Sequence, residues 1–425
     1  MAPPTEHLSR REFVKQGAMA TATVTAFNIL GSKDARAAAP IKIGLIGCGG
    51  RGRHDIDMAF KGTTDIQVTA LADLFPDRME KTRGIFEEKY GAKIDKDRCF
   101  IGLDAYKKMM ETDVDCVYLV TPPVFRPAML TAAVNAKKHV FMEKPAAVDS
   151  PGVREVIAAS EKAKSLGLSI VAGVQRHFAP NRIEAVKRVH DGAIREIVAA
   201  RAYWLGGAIG FHERQPEWTD LEYQMRNWYH FLWLSGDHIV EQHVHNLDMI
   251  HWGTQQHPVK AIGCGGRSWQ KLGNIWDHHA VDFTYESGMH LASMCRQIAG
   301  CKDNVSEFVV GTKGSSDLKT FVEADGKRQE WDASAPEQEI DENRALFKSI
   351  REGTGMNMAK DIAISTMYAI LGRLAEYSGQ EVTWEEAYNS NERLAPEQIE
   401  FGPIPLPPVA IPGGREYAGE GWMTG

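Results

Sequence analysis

Apolar residues cluster in short continuous blocks at 41–46, 67–72, 116–120, 139–142 and 169–174. Blocks of this length, rich in Val, Ile, Leu and Ala, read as strands buried on both faces. Between them, 53–61, 127–137 and 150–166 read as helices. Gly62 stops the first of these, Ser150 and Pro151 open the third, and Gly167 ends it. Strand alternating with helix predicts a parallel, doubly wound α/β sheet. Past residue 174 the pattern changes. Strand signals at 194–204, 280–285, 307–310 and 318–322 predict a second, α+β domain with an open, largely antiparallel sheet. Segment 357–377 sets Ile362, Met367, Ile370, Leu371 and Leu374 along a core-facing helix, with Gly379 as its stop. From 402 the chain is Pro-rich (Pro403, Pro405, Pro407, Pro408, Pro412), the composition of an extended arm. No internal repeat is present.

The turn after the first strand changes this from a fold reading to a chemical one. Gly47-Cys48-Gly49-Gly50-Arg51-Gly52 is a complete G-x-G-x-x-G between a strand and a helix. Gly47 permits the tight turn, Gly49 lets backbone approach a pyrophosphate, and Gly52 lets helix and strand pack closely. The helix N-terminus then offers unpaired N–H groups to phosphate. Asp73 ends the second strand, close to where an acid binds the adenine ribose hydroxyls, which favours NAD; Arg78 nearby leaves NADP open. The expected organisation is a leader over 1–37, an NAD(P)-binding Rossmann domain over 38–168, a substrate and oligomerisation domain over 169–401, and an arm over 402–425.

Composition narrows the partners. The 425 residues are 43% hydrophobic and 25% charged, which excludes a disordered, collagen-like or coiled-coil chain. Lys and Arg number 49 against 56 Asp and Glu, a formal charge of −7, so no nucleic-acid surface is indicated. Ten Trp exceed what core packing needs and suit a pocket for ring-shaped ligands. The cysteines (Cys48, Cys99, Cys116, Cys264, Cys295 and Cys301) contain no Cys-x-x-Cys, against a zinc ribbon or a redox centre. Cys48 and Cys116 read as buried, and a Cys295–Cys301 disulfide stays open.

At the N-terminus, Ser9-Arg10-Arg11-Glu12-Phe13-Val14-Lys15 matches a twin-arginine signal. An Ala/Thr-rich stretch at 17–31, too short to span a membrane, and Ala35-Arg36-Ala37, a small-x-small cleavage site, follow. The expected mature chain starts near Ala38, has no membrane span, and is extracytoplasmic or periplasmic. The twin-arginine machinery exports folded proteins, so a cofactor can travel inside.

Asp237–Asp248 is the densest polar run. On a continuous helix Glu241 and His245 share a face, so the carboxylate can orient the imidazole. Alcohol oxidation needs a base of near-neutral pKa for the proton while the hydride leaves carbon, and His245 fits. Lys144, at the end of a strand on the cofactor edge, is expected to hydrogen-bond the reacting oxygen. His238, Glu241, His243 and His245 also compose a candidate zinc set, but their order matches no helical zinc motif, and no metal is assigned. Arg176 and His177, delivered by the last Rossmann strand, are candidate substrate contacts. So are Asn227 and Trp228 within Arg226-Asn227-Trp228-Tyr229-His230, where rings can stack on a sugar and Arg and Asn can bond hydroxyls.

These features resemble the glucose–fructose oxidoreductase / inositol dehydrogenase (Gfo/Idh/MocA) family over nearly the whole mature chain. The similarity is carried by Glu143-Lys144-Pro145 after Lys138-His139-Val140, by Thr121-Pro122-Pro123, by the spacing Glu241…His245…Asp248, by Gly311-Thr312-Lys313-Gly314 and by 365–379. The resemblance implies that Lys144 and His245 act at the reacting carbon with Glu241 beside them. It also implies that Thr121, Pro122 and Glu143 join the glycine loop at the cofactor, and that the open sheet mediates a homo-dimer or tetramer. Three departures stand out: Arg126 for a frequent His, Glu241 for Asp, and His243 for Gly. The expected activity is hydride transfer between a sugar, cyclitol or glycoside hydroxyl and a tightly bound NAD or NADP. Two other readings follow from the same residues: an NAD-dependent glycosidase working by transient oxidation and elimination, and a non-catalytic sugar-binding protein. The retained Lys144 argues against the glycosidase branch.

Overall fold

The computed structural model describes residues 39–332, 334 and 337–413. The twin-arginine segment, the cleavage site and the last residues of the arm lie outside them. Strands β1 (Ile41–Ile46), β2 (Ile66–Asp73), β3 (Cys99–Ile101), β4 (Cys116–Leu119), β5 (His139–Met142) and β6 (Ile170–Ala172) form one parallel sheet in the order β3-β2-β1-β4-β5-β6. This is the doubly wound order whose reversal, between β1 and β4, opens a crevice for a dinucleotide. The central strands have no solvent-facing side: Ile43, Leu45, Val117, Tyr118, Val140 and Phe141 are fully buried. Strand β6 falls beyond the expected boundary at 168, yet it pairs with β5 and belongs to the first sheet. Strand β3, three residues long with no fully buried position, is too short for a hydrophobic pattern to reveal.

The second sheet runs β14-β13-β12-β11-β7-β10-β9-β8-β15, built from β7 (Ile197–Gly206), β8 (Lys260–Gly266), β9 (His278–Thr284), β10 (His290–Gln297), β11 (Asn304–Gly311), β12 (Gly314–Ser316), β13 (Phe321–Ala324), β14 (Lys327–Glu330) and β15 (Val382–Thr383). Every pairing is antiparallel except β7 with β10. Alternation along β10, where Leu291, Ser293 and Cys295 are buried and His290, Ala292 and Met294 exposed, shows one face packed and one open.

Helix Ala359–Ser378 lies between the two sheets. Sixteen of its twenty residues are buried, and Gly379 closes it in the left-handed conformation at φ 68°. Helix Gln338–Glu352, absent from the sequence reading, packs back on the first sheet, where Tyr118 Oη donates to Asn343 at 2.6 Å. The arm lies on this body: Trp276 Nε1 donates to the Ala410 carbonyl at 3.0 Å and Leu221 N–H to the Gly402 carbonyl at 3.3 Å. All six cysteines are free, including Cys295 and Cys301, the first buried and the second exposed. No described helix is long and apolar enough to cross a membrane.

Candidate active site

The glycine turn has the shape its sequence requires. A Cβ on Gly52 would sit 2.0 Å from the Gly47 carbonyl oxygen, and one on Gly47, at φ +104°, 2.4 Å from that of Val120. Gly49 and Gly50 instead face open space, with nothing within 4 Å of a Cβ. That bare backbone opens on a cavity of about 810 Å³. Asp73 closes the turn: its Oδ2 accepts from Cys48 N–H at 2.6 Å and its Oδ1 from Phe75 N–H at 2.8 Å. The cradle and the anchored acid fit an NAD-type dinucleotide. Cys48 takes part through backbone alone, since its thiol is buried and burial pushes its pKa well up.

Arg51 runs along the helix beginning at Gly50. Its Nε donates to Glu143 Oε1 at 2.8 Å and its Nη1 to Glu339 at 3.0 Å. Its pKa is raised, as Glu143, Asp55 and Glu339 outweigh burial. Glu143 also accepts from Lys144 N–H at 3.0 Å, and Gly173 leaves it room: a Cβ there would meet the carboxylate at 2.6 Å. Thus Glu143 ties the glycine loop to the strand end that carries Lys144. Arg126, the unusual residue after Thr121-Pro122, is buried and donates to the carbonyls of Pro145 (2.7 Å) and Thr121 (2.6 Å). It holds two edges of the cofactor crevice together, and burial lowers its pKa to about 10. Thr121 and Pro122 line the cavity beside it.

The polar run is not one helix. It breaks into His238–Glu241 and Val244–Thr254, with Gln242 and His243 between. The expected Glu241–His245 pairing is therefore lost, and Glu241 turns to the lysine. Lys144 Nζ donates to Glu241 Oε1 at 2.9 Å and to its backbone carbonyl at 2.7 Å. Glu241 is a lysine-orienting group rather than a histidine-orienting one. Burial raises its pKa, opposed by Lys144. Its Oε2 is buried without a hydrogen-bond partner among the described residues.

His245 is positioned from behind instead. Its ring stacks on Trp204 at 5.6 Å, and its carbonyl accepts from Arg176 Nη1 at 3.1 Å. The ring nitrogens take no hydrogen bond from the described residues, and the side chain lines the cavity with Lys144 and Glu241. Its pKa lies well below 6.5, first because it is buried and then because Lys144, Arg176, Arg51 and Arg182 are cationic neighbours. The imidazole is a neutral base at physiological pH.

Arg176 and His177 do not reach the cavity. Arg176 pairs with Glu307, which also accepts from Arg182 at 3.2 Å and Asn246 at 2.6 Å. His177 sits 2.6 Å from Asp248 and stacks on Trp252 at 4.2 Å; Asp248 raises its pKa against the effect of burial. Both brace the helix bearing His245. Asn227 is also a brace, exchanging hydrogen bonds with the His212 backbone at 2.7 and 3.0 Å. Trp228 does line the cavity, joined by Tyr229, His212, Trp218 and Gln242. Sequence reasoning passed over His212 and Trp218, because 207–219 carries neither periodicity nor motif, and gave Gln242, inside the polar run, no role.

The candidate zinc set is dispersed. His238 Nδ1 meets Tyr229 Oη at 3.0 Å, and His243 Nε2 meets Ser293 Oγ at 2.7 Å. Among the described residues no group of three or more His, Cys, Asp or Glu is placed to hold a metal ion.

Residues 41–170 match the Gfo/Idh/MocA model, described as an oxidoreductase family with an NAD-binding Rossmann fold. The match covers less than half of the chain and makes this segment similar to the NAD-binding domain of that family. The matches are consistent with an NAD(P)-dependent oxidoreductase. It is 24% identical over 216 residues to an inositol 2-dehydrogenase/D-chiro-inositol 3-dehydrogenase of Lactiplantibacillus plantarum, covering 50% of this chain and 51% of that one. It is 28% identical over 190 residues to a glycosyl hydrolase family 109 protein of Porphyromonas gingivalis, covering 44% and 37%. The chain thus spans about half or less of the length of these two relatives. Among solved structures it resembles an aldose–aldose oxidoreductase from Caulobacter crescentus (TM-score 0.64, 19% identity, 81% of this chain and 99% of that one), which speaks for the fold.

Proposed function

We propose that the protein is an exported oxidoreductase that moves a hydride between a CH–OH carbon of a sugar, cyclitol or glycoside and a tightly held nicotinamide cofactor. The observation carrying this is the neutral His245 ring, without a hydrogen-bond partner among the described residues, in the cavity that also holds Lys144 and the glycine cradle. His245 takes the hydroxyl proton as the carbonyl forms. Lys144, fixed by two hydrogen bonds to Glu241, donates to the reacting oxygen and steadies its charge. A bound nicotinamide supplies the hydride acceptor. Trp228, Tyr229 and Trp218 give ring faces for a flat polyol, which supports the substrate class. Asp73 favours NAD, since a 2′-phosphate beside that carboxylate is repelled.

The twin-arginine segment supports an extracytoplasmic setting, where free dinucleotide is scarce. There the cofactor stays bound and a second substrate or acceptor resets it. The open sheet face, with Ile262 and Met294 exposed, supports a homo-oligomer.

The test is to purify the natively exported protein, denature it and identify released nucleotide by mass spectrometry. One equivalent of NAD(H) is expected; a protein that carries none and binds none refutes the reading. The glycosidase alternative is favoured by the 28% identity to the family 109 protein. It is separated by redox balance, because a glycosidase cleaves its glycoside with no net consumption of oxidant or reductant.

A further inference from the structure

Two of the segments that line the cavity meet one another. One is the end of β2 and the turn after it, with Asp73, Phe75, Asp77 and Arg78. The other is the segment 212–228, with His212, Trp218 and Arg226. Arg226, a candidate sugar contact by sequence, joins the two. Its Nη1 and Nη2 donate to Asp77 Oδ2 and Oδ1 at 3.2 and 3.1 Å, a fork-on-fork pair. Its Nε donates to Glu222, one turn back, at 2.9 Å. The guanidinium also lies over the Phe75 ring at 4.2 Å and over Trp218 at 4.9 Å. Arg78 lies over the same Phe75 ring at 5.1 Å. Phe75 thus meets a guanidinium from each wall, two residues from the acid that fits the adenine ribose.

Helix Asp220–Arg226 is only seven residues long and needs outside support. Thr219 caps it, accepting from Glu222 N–H at 3.2 Å. Gln224 Oε1 accepts from Trp233 Nε1 at 2.6 Å, and its Nε2 donates to the Ile404 carbonyl at 3.4 Å. Phe75, Leu221, Met225, Trp233 and Ile404 belong to a hydrophobic cluster separate from the main core. The end of β2, the segment and the arm are packed as one clasp.

We propose that 212–228 is a strap across the adenosine end of the groove, latched by Arg226 onto Asp77 and Phe75, and that this latch retains the dinucleotide. The inference rests on the oxidoreductase reading above. For a dinucleotide to pass that end, the Arg226–Asp77 pair has to part and Phe75 has to lose one of its cations. A latch is a barrier in both directions. Breaking it speeds release and association together, whereas losing a simple ligand contact speeds release alone.

The experiment loads the full-length protein with NADH and mixes it with pyruvate and excess lactate dehydrogenase, which oxidises each NADH released. The fall of protein-bound NADH fluorescence gives the release rate, and stopped-flow mixing of the emptied protein with NADH gives association. Arg226→Ala is expected to release NADH about tenfold faster, the scale of one paired and stacked guanidinium, and to bind it faster too. Asp77→Asn, nearly isosteric at a side chain 60% exposed, is expected to do the same to a smaller extent, and it covers the case in which Arg226→Ala does not fold. Folded variants releasing NADH at the wild-type rate overturn the latch. Faster release with unchanged association overturns it as well, leaving Arg226 an ordinary contact. A wild-type protein that never binds NADH overturns the oxidoreductase reading itself.

Discussion

Replacing His245 by Ala separates the base from the rest of the site. Its ring makes no hydrogen bond to the described residues, so truncation strands no partner. The Lys144–Glu241 pair and the Glu143–Arg51 link lie on other elements and stay in place. Lys144 cannot replace the base, because its ammonium already donates twice to Glu241. The expected loss in kcat is that of a removed general base, about 10²–10⁴-fold or roughly 3–5.5 kcal/mol of barrier. The assay follows nicotinamide absorbance near 340 nm with the best polyol from a panel of sugars and cyclitols, with nucleotide binding measured in parallel. The wild-type pH profile provides a second check. Because the folded imidazole's pKa lies well below 6.5, the base form persists through neutrality, and the acid limb due to His245 falls below 6.5. Loss of less than about tenfold in the variant, or a wild-type limb at 6.5 that vanishes in it, refutes the assignment of a neutral, pre-formed base.

Other outcomes follow from the same geometry. Glu241→Gln keeps the shape but removes the buried counter-charge of Lys144, and kcat should fall while NAD affinity holds within about threefold, read by fluorescence titration. Asp73→Ala should weaken NAD binding by about tenfold, the scale of one or two lost hydrogen bonds, and narrow the preference over NADP; equal losses for both nucleotides count against its ribose role. The buried His238 (pKa about 3), His243 and His245 all have lowered pKa values, from burial first. Below 6.5 the unfolded chain therefore takes up protons that the folded one refuses, and stability is lost as pH falls. Three such groups give a slope of up to about 4 kcal/mol per pH unit below 6.5, and His245→Ala should lower it by about one third in urea titrations. His279 behaves oppositely: burial opposes its charge, but Glu376 and Asp237 raise its pKa to about 10. Its contribution is complete below 6.5 and disappears as pH rises through 10.

Local rules were enough for much of this protein. An apolar strand running into G-x-G-x-x-G, an acid at the next strand's end and alternating helices specify a doubly wound nucleotide fold, because each depends only on near neighbours and on backbone sterics at Gly47 and Gly52. The pair proposed to react was legible as candidates, since Lys144 ends a strand and His245 lies in the densest polar run, and both line the same cavity. The partners of those groups were not. Whether Glu241 serves His245 or Lys144 depends on a helix break at Gln242–His243, which tertiary packing imposes on a sequence that reads as continuous. Arg176, His177 and Asn227 had the right chemistry for ligand contacts, but Glu307, Asp248 and the His212 backbone, all distant in sequence, claim them. Arg226 reads as a sugar contact beside Asn227 and Trp228, but in the structure it meets Asp77 and Phe75 across the cavity. Sequence alone determined the alternating elements of the first sheet and the candidate side chains; long-range pairing decided the short and late elements and which group each side chain faces, because burial, charge and hydrogen-bond partners arise only when distant segments come together.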